Sequence, residues 1–376
     1  MKKNILIISH DASPGGAQNS ILNFSKILSS LDFEIHIILK QGGSLKEDFE
    51  KLGTCYHWNK LDILNSNIFI RILNKFIHLN HYYNLRITKK INNLNPELCI
   101  SNTITNHEIV KELNKNKIKI ITWVHELNYM YNIIEKVSLE NPKEIINSTD
   151  FFLCASKSVQ KNLFENHKVP FEKTHVFYEI INEKNPSFIE DEKTYFKVGG
   201  CGAIGWRKGT DIFLSVANQI VNVLKISDIK FEWLGAQPNS IGLLQFEEEI
   251  KKLNLENHVK AMSFEKNSNE FMKSINLFLM TSREDPFPLV NIEAALNLCP
   301  VLCFKGTGGS EEFALEDNIF SYTDTLSMAK RVEFYKENLA LLRSDGNLSF
   351  QKASQFTMKS KTKELEELML KLLNNE

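Results

Sequence analysis

Three stretches of this 376-residue sequence bring together residue types able to hold or move a charged group. The run Gly199-Gly200-Cys201-Gly202-Ala203-Ile204-Gly205-Trp206-Arg207-Lys208-Gly209-Thr210-Asp211 joins glycine-dense backbone, an Arg-Lys pair and a helix start. Backbone donors, two cations and a helix dipole can then meet one anion. The combination reads as a diphosphate clamp, although surface cations on an ordinary loop would leave the same trace. Arg grips phosphate at two points as Lys does not, and only six of the 45 Lys and Arg are Arg. Two of the six, Arg207 and Arg283, stand at expected strand ends.

The second stretch is Ser282-Arg283-Glu284-Asp285-Pro286-Phe287-Pro288-Leu289-Val290-Asn291-Ile292-Glu293. Pro is favoured in the first helical turn, so a helix beginning near Pro288 leaves Asp285 just before it and Glu293 in its second turn. One carboxylate could meet a sugar hydroxyl and the other a ribose; an acidic helix start would look alike. The third is Ser9-His10-Asp11-Ala12-Ser13-Pro14-Gly15-Gly16-Ala17-Gln18, a glycine turn opening a helix whose free N–H groups favour an anion. It is not G-x-G-x-x-G, which disfavours a nicotinamide site, and a plain strand-to-helix turn would also need its glycines. His125-Glu126 follows the apolar run Ile118–Val124, where a ligand group and a core histidine are equally in place. His78 and His81 lack an acidic or Cys partner nearby, so no metal site is expected there, and Gly306-Thr307-Gly308-Gly309-Ser310-Glu311-Glu312 repeats the glycine turn.

These residues follow short apolar runs, and the runs alternate with stretches of helical period, the pattern of parallel sheets with helices on both faces. In the first half the expected strands are Asn4–Ser9, Glu34–Leu39, Leu98–Ser101, Ile118–Val124, Phe151–Ala155 and His175–Ile181, with helices over Ala17–Leu31, Ile68–Asn92 and Lys157–His167. The polar stretch Asn182–Thr194, with Pro186, reads as a linker. A second series follows: strands Tyr195–Ala203, Lys230–Gly235, His258–Phe264, Ile275–Ser282 and Val301–Lys305, and helices Thr210–Leu224, Ile241–Leu253 and Pro288–Leu298. The expectation is α/β: Rossmann-like domains over 1–185 and 186–353 facing a cleft, and a terminal helix over 354–376 that crosses back to the first. Ligands of open α/β sheets sit at the carboxyl ends of strands, where the three stretches lie.

Composition narrows the class. With 43% hydrophobic and 24% charged residues the chain is ordinary globular material, and a net charge of −1 carries no nucleic-acid footprint. The apolar start ends at Ser9-His10-Asp11, too early for a signal peptide, and no apolar run approaches a membrane span. A cytoplasmic location is expected, with the six cysteines as structural thiols. Residues 1–180 are the basic half; within Ile68–Lys119 nine basic residues face three acidic ones beside Ile68, Phe69, Ile72, Leu73, Phe76 and Ile77. That suggests an amphipathic surface for anionic lipid at the inner face of the cell membrane; a solvated helix packed on the core is the alternative.

The segments SHDASPGGAQ, WVHEL, GGCGAIGWRKGTD, TSREDPFPLVNIEAA and GTGGSEEF, in this order over about residues 4–313, resemble glycosyltransferase family 4, the retaining, nucleotide-sugar-dependent class of GT-B fold. The resemblance implies a first acceptor domain and a second donor domain. It places Gly15 and Gly16 by the donor phosphate and acceptor, His125 on the transferred sugar, and Arg207 and Lys208 on the donor diphosphate. Asp285 falls near the sugar hydroxyls and Glu293 on the ribose, while Gly205, Arg283, Phe287, Pro288, Leu289 and Val290 join the donor-binding set. Two departures stand out. Asp285 replaces the usual Glu, one methylene longer, and Gly202 stands where another family pattern has Arg, a charge that Arg207 or Arg283 would then supply.

No D-x-D occurs in the sequence, so the implied route is metal-independent and cofactor-free, with Arg207, Lys208 and helix N-termini stabilising the departing diphosphate. The resemblance assigns no protein nucleophile. The expected function is transfer from a nucleoside-diphosphate sugar, UDP foremost, to a glycan or lipid-linked glycan in cell-surface polysaccharide synthesis such as lipopolysaccharide. A non-catalytic sugar-nucleotide-binding or partner protein, or another GT-B enzyme such as an epimerase, is the alternative.

Overall fold

The computed structural model describes residues 2–58, 79–137, 141–183, 195–263 and 268–374. The chain divides into two compact units, Met1–Asn182 with Met358–Glu376, and Glu183–Thr357.

The first unit is built on seven parallel strands: β1 Asn4–Ser9, β2 Glu34–Leu39, β3 Thr54–His57, β4 Leu98–Asn102, β5 Ile120–Val124, β6 Phe151–Cys154 and β7 Thr174–Val176, in the order β3-β2-β1-β4-β5-β6-β7. Strand β1 shows why its sequence is a near-continuous apolar run. Ile5 and Ile7 enter the core on one face of the sheet, and Leu6 and Ile8 enter the core on the other. Alternate side chains of a strand point to opposite faces, and a parallel sheet covered on both sides needs both sets apolar. Helix Gly16–Ser30 buries Ile21, Phe24, Ile27 and Leu28 against one of these faces. The terminal helix Met358–Asn374 places Leu365, Leu368, Met369 and Leu372, one stripe at helical spacing, in the same core.

The second unit has six parallel strands: β8 Phe196–Cys201, β9 Ile229–Ala236, β10 Val259–Ser263, β11 Leu277–Met280, β12 Val301–Phe304 and β13 Ile319–Phe320, ordered β10-β9-β8-β11-β12-β13. In both sheets the first strand pairs its successor on one side and a later strand on the other, β4 beside β1 and β11 beside β8. These are the topological switch points at which open α/β sheets bind ligands.

The α/β expectation holds, with differences in detail. Strand β3 was not expected, because Thr54-Cys55-Tyr56-His57 is short and half polar, yet it pairs along β2. The strand expected over His175–Ile181 shrinks to Thr174–Val176, since β7 is an edge strand and Phe177, Ile180 and Ile181 are buried beyond it. The helix expected over Thr210–Leu224 is α-helical over Thr210–Asn218 and continues as a π-turn over Gln219–Val223. Two further helices, Thr325–Glu337 and Leu339–Ala353, complete the second unit. Of the amphipathic stretch, Leu79–Leu94 is helical, with Tyr82 and Leu85 exposed beside exposed Arg86, Lys89 and Lys90; Ile68 to Ile77 and most of the linker lie outside the described residues. No helix among the described residues is long and apolar enough to cross a membrane.

Candidate functional site

In the second unit three loops leave the carboxyl ends of the neighbouring strands β8, β11 and β12, and backbone hydrogen bonds lace them together. Arg283 N–H donates to the Arg207 carbonyl at 2.8 Å, and Asp285 N–H donates to the Thr307 carbonyl at 2.8 Å. The Asp285 carbonyl in turn accepts from Gly309 N–H at 3.1 Å. This lacing fixes the side chains. Lys208 Nζ lies 2.5 Å from Asp285 Oδ2, and Arg207 Nη1 stands 3.8 Å from the same oxygen while donating to the Glu284 carbonyl at 3.1 Å. The Asp285 side chain is 9% exposed and that of Lys208 18%. Two cations and a carboxylate thus converge at the β8/β11 switch point, beside the N-terminus of helix Leu289–Leu296, capped by Pro288.

Two glycines explain the local backbone. Gly209 (φ +64°) caps helix Thr210–Asn218, and a Cβ there would run into the Thr281 carbonyl. Gly202 (φ +138°) carries the aliphatic stem of Lys208, whose Cε would lie 3.1 Å from an added Cβ. The missing Arg at 202 therefore has a steric reason: the position is in a conformation that L side chains rarely adopt, and the Lys208 stem lies over it. Arg283 has other partners in this structure. Its guanidinium forks onto Asp211 at 2.8 and 2.6 Å, donates to the Trp206 carbonyl at 2.7 Å and lies 5.2 Å from the Trp206 ring. That hydrogen bond, ahead of the opposing burial, holds the Asp211 carboxyl below its usual range. Of the two candidate arginines, Arg207 is the one beside Lys208 and Asp285.

The remaining donor-set residues divide. Glu293 accepts from the Ser268 hydroxyl at 2.5 Å. Leu289 and Val290 are half-buried in the first turn of their helix. Phe287 is buried against Phe356, ring centroids 5.2 Å apart, so its side chain packs the loop. Gly205 is extended with open space where a Cβ would stand, so no steric demand keeps it glycine.

In the first unit the glycine turn follows β1. Gly15 is the N-cap and Gly16 the first residue of helix Gly16–Ser30, and the Gln18 side chain occupies the space a Gly15 Cβ would need. Gln18 Nε2 donates to Asp11 Oδ1 at 2.6 Å and lies 2.9 Å from His10 Nε2. Burial opposes ionisation of Asp11, yet hydrogen bonds from Ser13 outweigh it and keep the carboxyl below its usual range. Burial also pushes the His10 imidazole down. His125 follows β5, tilted on Trp123 with ring centroids 4.7 Å apart, and its Nδ1 lies 3.0 Å from Glu179 Oε1. Glu126 turns inward to accept from the N–H groups of His125 at 2.9 Å and Ile104 at 3.3 Å; burial, partly offset by His125, raises its carboxyl to about 7.

Sequence reasoning missed Glu179 and the His10–Asp11–Gln18 network. An acid inside the apolar run Phe177–Ile181 was the available signal, since a buried carboxylate requires a partner.

Two parallel-sheet units, with cations at one switch point and a glycine-opened helix at the other, define the class of paired Rossmann-like domains. Residues 14–184 match the family model described as Glycosyltransferase Family 4, and residues 181–351 that of Glycosyl transferases group 1. The chain belongs to glycosyltransferase family 4 and is a glycosyltransferase of GT-B type. These matches leave the epimerase and non-catalytic readings without support.

A curated relative from Campylobacter jejuni subsp. jejuni serotype O:2 is 25% identical over 328 residues, 83% of either chain; it is an N-acetylgalactosamine-N,N'-diacetylbacillosaminyl-diphospho-undecaprenol 4-alpha-N-acetylgalactosaminyltransferase. Among solved structures, Anabaena HepE in complex with UDP superposes with a TM-score of 0.77 at 19% identity, covering 98% of this chain and 99% of that one. TarM superposes with a TM-score of 0.78 at 13% identity, covering 100% and 99%. These last two likenesses concern the fold.

Proposed function

We propose that this protein is a retaining, metal-independent glycosyltransferase that moves a sugar from a UDP-sugar to a lipid-linked glycan in cell-surface polysaccharide synthesis. The observation that carries the reading is the convergence of Lys208, Arg207 and Asp285 at the β8/β11 switch point. When the bond from the anomeric carbon to the diphosphate breaks, charge develops on the leaving phosphate oxygen. Arg207, Lys208 and the N-terminus of helix Leu289–Leu296 are preorganised to stabilise it, usually the largest single contribution to catalysis. Asp285 then accepts from a sugar hydroxyl, Glu293 exchanges the Ser268 hydroxyl for the ribose, and His125 contacts the transferred sugar. The acceptor oxygen bonds to the anomeric carbon on the face the diphosphate leaves, and its proton passes to the diphosphate, so no protein nucleophile is required.

Two findings support the finer points. HepE has been solved with UDP and with UDP-glucose, which favours a uridine donor here. The C. jejuni relative is named for an alpha linkage on a diphospho-undecaprenol carrier, and an alpha product from an alpha-linked donor is the retaining outcome. The basic face of helix Leu79–Leu94, with exposed Tyr82 and Leu85, would bring the first unit to an anionic membrane surface where such an acceptor lies.

Incubating the purified protein with UDP-glucose, UDP-GlcNAc and UDP-GalNAc, a polyprenyl-diphosphate-linked glycan and excess EDTA tests the proposal. A product heavier by one sugar residue with an alpha anomeric proton coupling by NMR is expected. A beta product overturns retention, and turnover abolished by EDTA overturns metal independence.

A further inference from the structure

The His125 ring offers a nitrogen on each side, and only one of them has a partner. Nδ1 lies 3.0 Å from Glu179 Oε1, while Nε2 is buried with no partner among the described residues. The other Glu179 oxygen, Oε2, accepts from the Ser20 hydroxyl at 3.2 Å. A carboxylate oxygen facing an imidazole nitrogen serves as its acceptor, so the contact assigns the ring proton to Nδ1.

The stretch that carries Glu179 is itself held in place. The Phe177 carbonyl accepts from Trp123 Nε1 at 3.1 Å, and the Ile180 carbonyl accepts from Asn23 Nδ2 at 3.0 Å. Ser20 and Asn23 lie one helical turn apart on helix Gly16–Ser30, the helix that the Gly15-Gly16 turn opens. Trp123, at the end of β5, also supports the imidazole face. Sheet and helix therefore fix the Glu179 carboxylate and the ring together.

We propose that Glu179 is a positioning residue that holds the proton of the neutral His125 ring on Nδ1. With Nδ1 protonated, the neutral ring leaves a bare, buried lone pair on Nε2. The substrate group that satisfies it is a hydrogen-bond donor, a hydroxyl of the transferred sugar. A buried ring nitrogen left without a partner is costly, and the hydroxyl that fills it does so most fully in the transition state, so the contact acts on kcat. The inference deepens the transferase reading and rests on it for the identity of the hydroxyl; the tautomer itself does not depend on that reading.

The test is side-chain 15N NMR of the histidines in the full-length wild-type protein, with His125→Gln to assign its signals. The neutral ring is expected as the Nδ1–H tautomer with a non-protonated Nε2; an Nε2–H tautomer overturns the proposal. Glu179→Gln, whose amide can either accept from or donate to Nδ1, is expected to release the tautomer into a mixture. It should also lower kcat for UDP release from the best of the three UDP-sugars by about 10- to 100-fold, the scale of one charge-assisted hydrogen bond. Its KM should stay within about twofold, and Glu179→Asp should recover part of the loss. A Glu179→Gln enzyme with wild-type tautomer and kcat refutes the role. UDP binding to wild-type protein is measured in parallel, so that failure of the donor reading shows as absent binding and failure of this inference as a wrong tautomer with binding intact.

Discussion

Lys208 and Asp285 stand 77 residues apart in the chain and 2.5 Å apart in space, Nζ to Oδ2, where the loops after β8 and β11 are bound together. The pair gives Lys208 a partner that an arriving diphosphate must share. In Asp285→Asn the carboxylate no longer competes for Lys208 or repels phosphate. UDP is expected to bind as tightly or a few-fold more tightly, while turnover falls by about 100-fold or more. Isothermal titration and a UDP-release assay check both arms; weaker UDP binding contradicts the arrangement.

The two site arginines separate by their present partners. Arg207→Ala removes a cation beside Asp285 and should weaken UDP by about 10-fold, the scale of a charge-assisted contact to phosphate. Arg283→Ala removes the fork onto Asp211 rather than a cation beside Asp285, so UDP affinity should hold within about twofold. Titration of the two variants side by side checks this, and equal losses in both contradict it.

Gly209 is the backbone position on which the clamp loop turns. Gly209→Ala puts a Cβ at φ +64° against the Thr281 carbonyl, and a loss of about 3 kcal/mol or more in the second unit is expected. Gly205→Ala, with open space around it, should be nearly neutral. Urea denaturation of both variants provides the comparison.

Much of this was legible beforehand. Strands β1 and β2 and helix Lys157–His167 follow their apolar periods to the residue, because buried parallel strands and a Ser156-capped helix leave unambiguous patterns. The Arg207–Lys208 and Asp285 segments stood out through glycine, proline and scarce arginine. What did not show was pairing across distance: Glu179 lies 54 residues from His125, and nothing local marks the contact. Arg283 looked equivalent to Arg207 because sequence gives the charge but not the Asp211 fork.

Burial raises the Glu126 carboxyl from an ordinary 4.5 to about 7, and this sets a pH dependence for the first unit. Between these values the folded chain binds more protons than the unfolded one, so stability falls as pH rises. The contribution is whole below about pH 4.5 and lost through pH 7, by roughly 3 kcal/mol. Glu126→Gln should flatten the stability profile of the first unit between pH 5 and 8, as followed by urea denaturation. A profile as steep as wild type assigns the dependence elsewhere.

The central claim is that the β8/β11 switch point binds a nucleoside diphosphate through Lys208. The direct measurement is the ligand-induced shift in melting temperature with UDP, GDP, ADP, dTDP and CMP, for wild type and for Lys208→Ala, each against its own unliganded state. A ligand that binds only the folded protein raises its apparent stability. A shift with UDP in wild type that disappears in Lys208→Ala is the predicted result. No shift with any nucleotide at millimolar concentration, or an equal shift in both proteins, contradicts it.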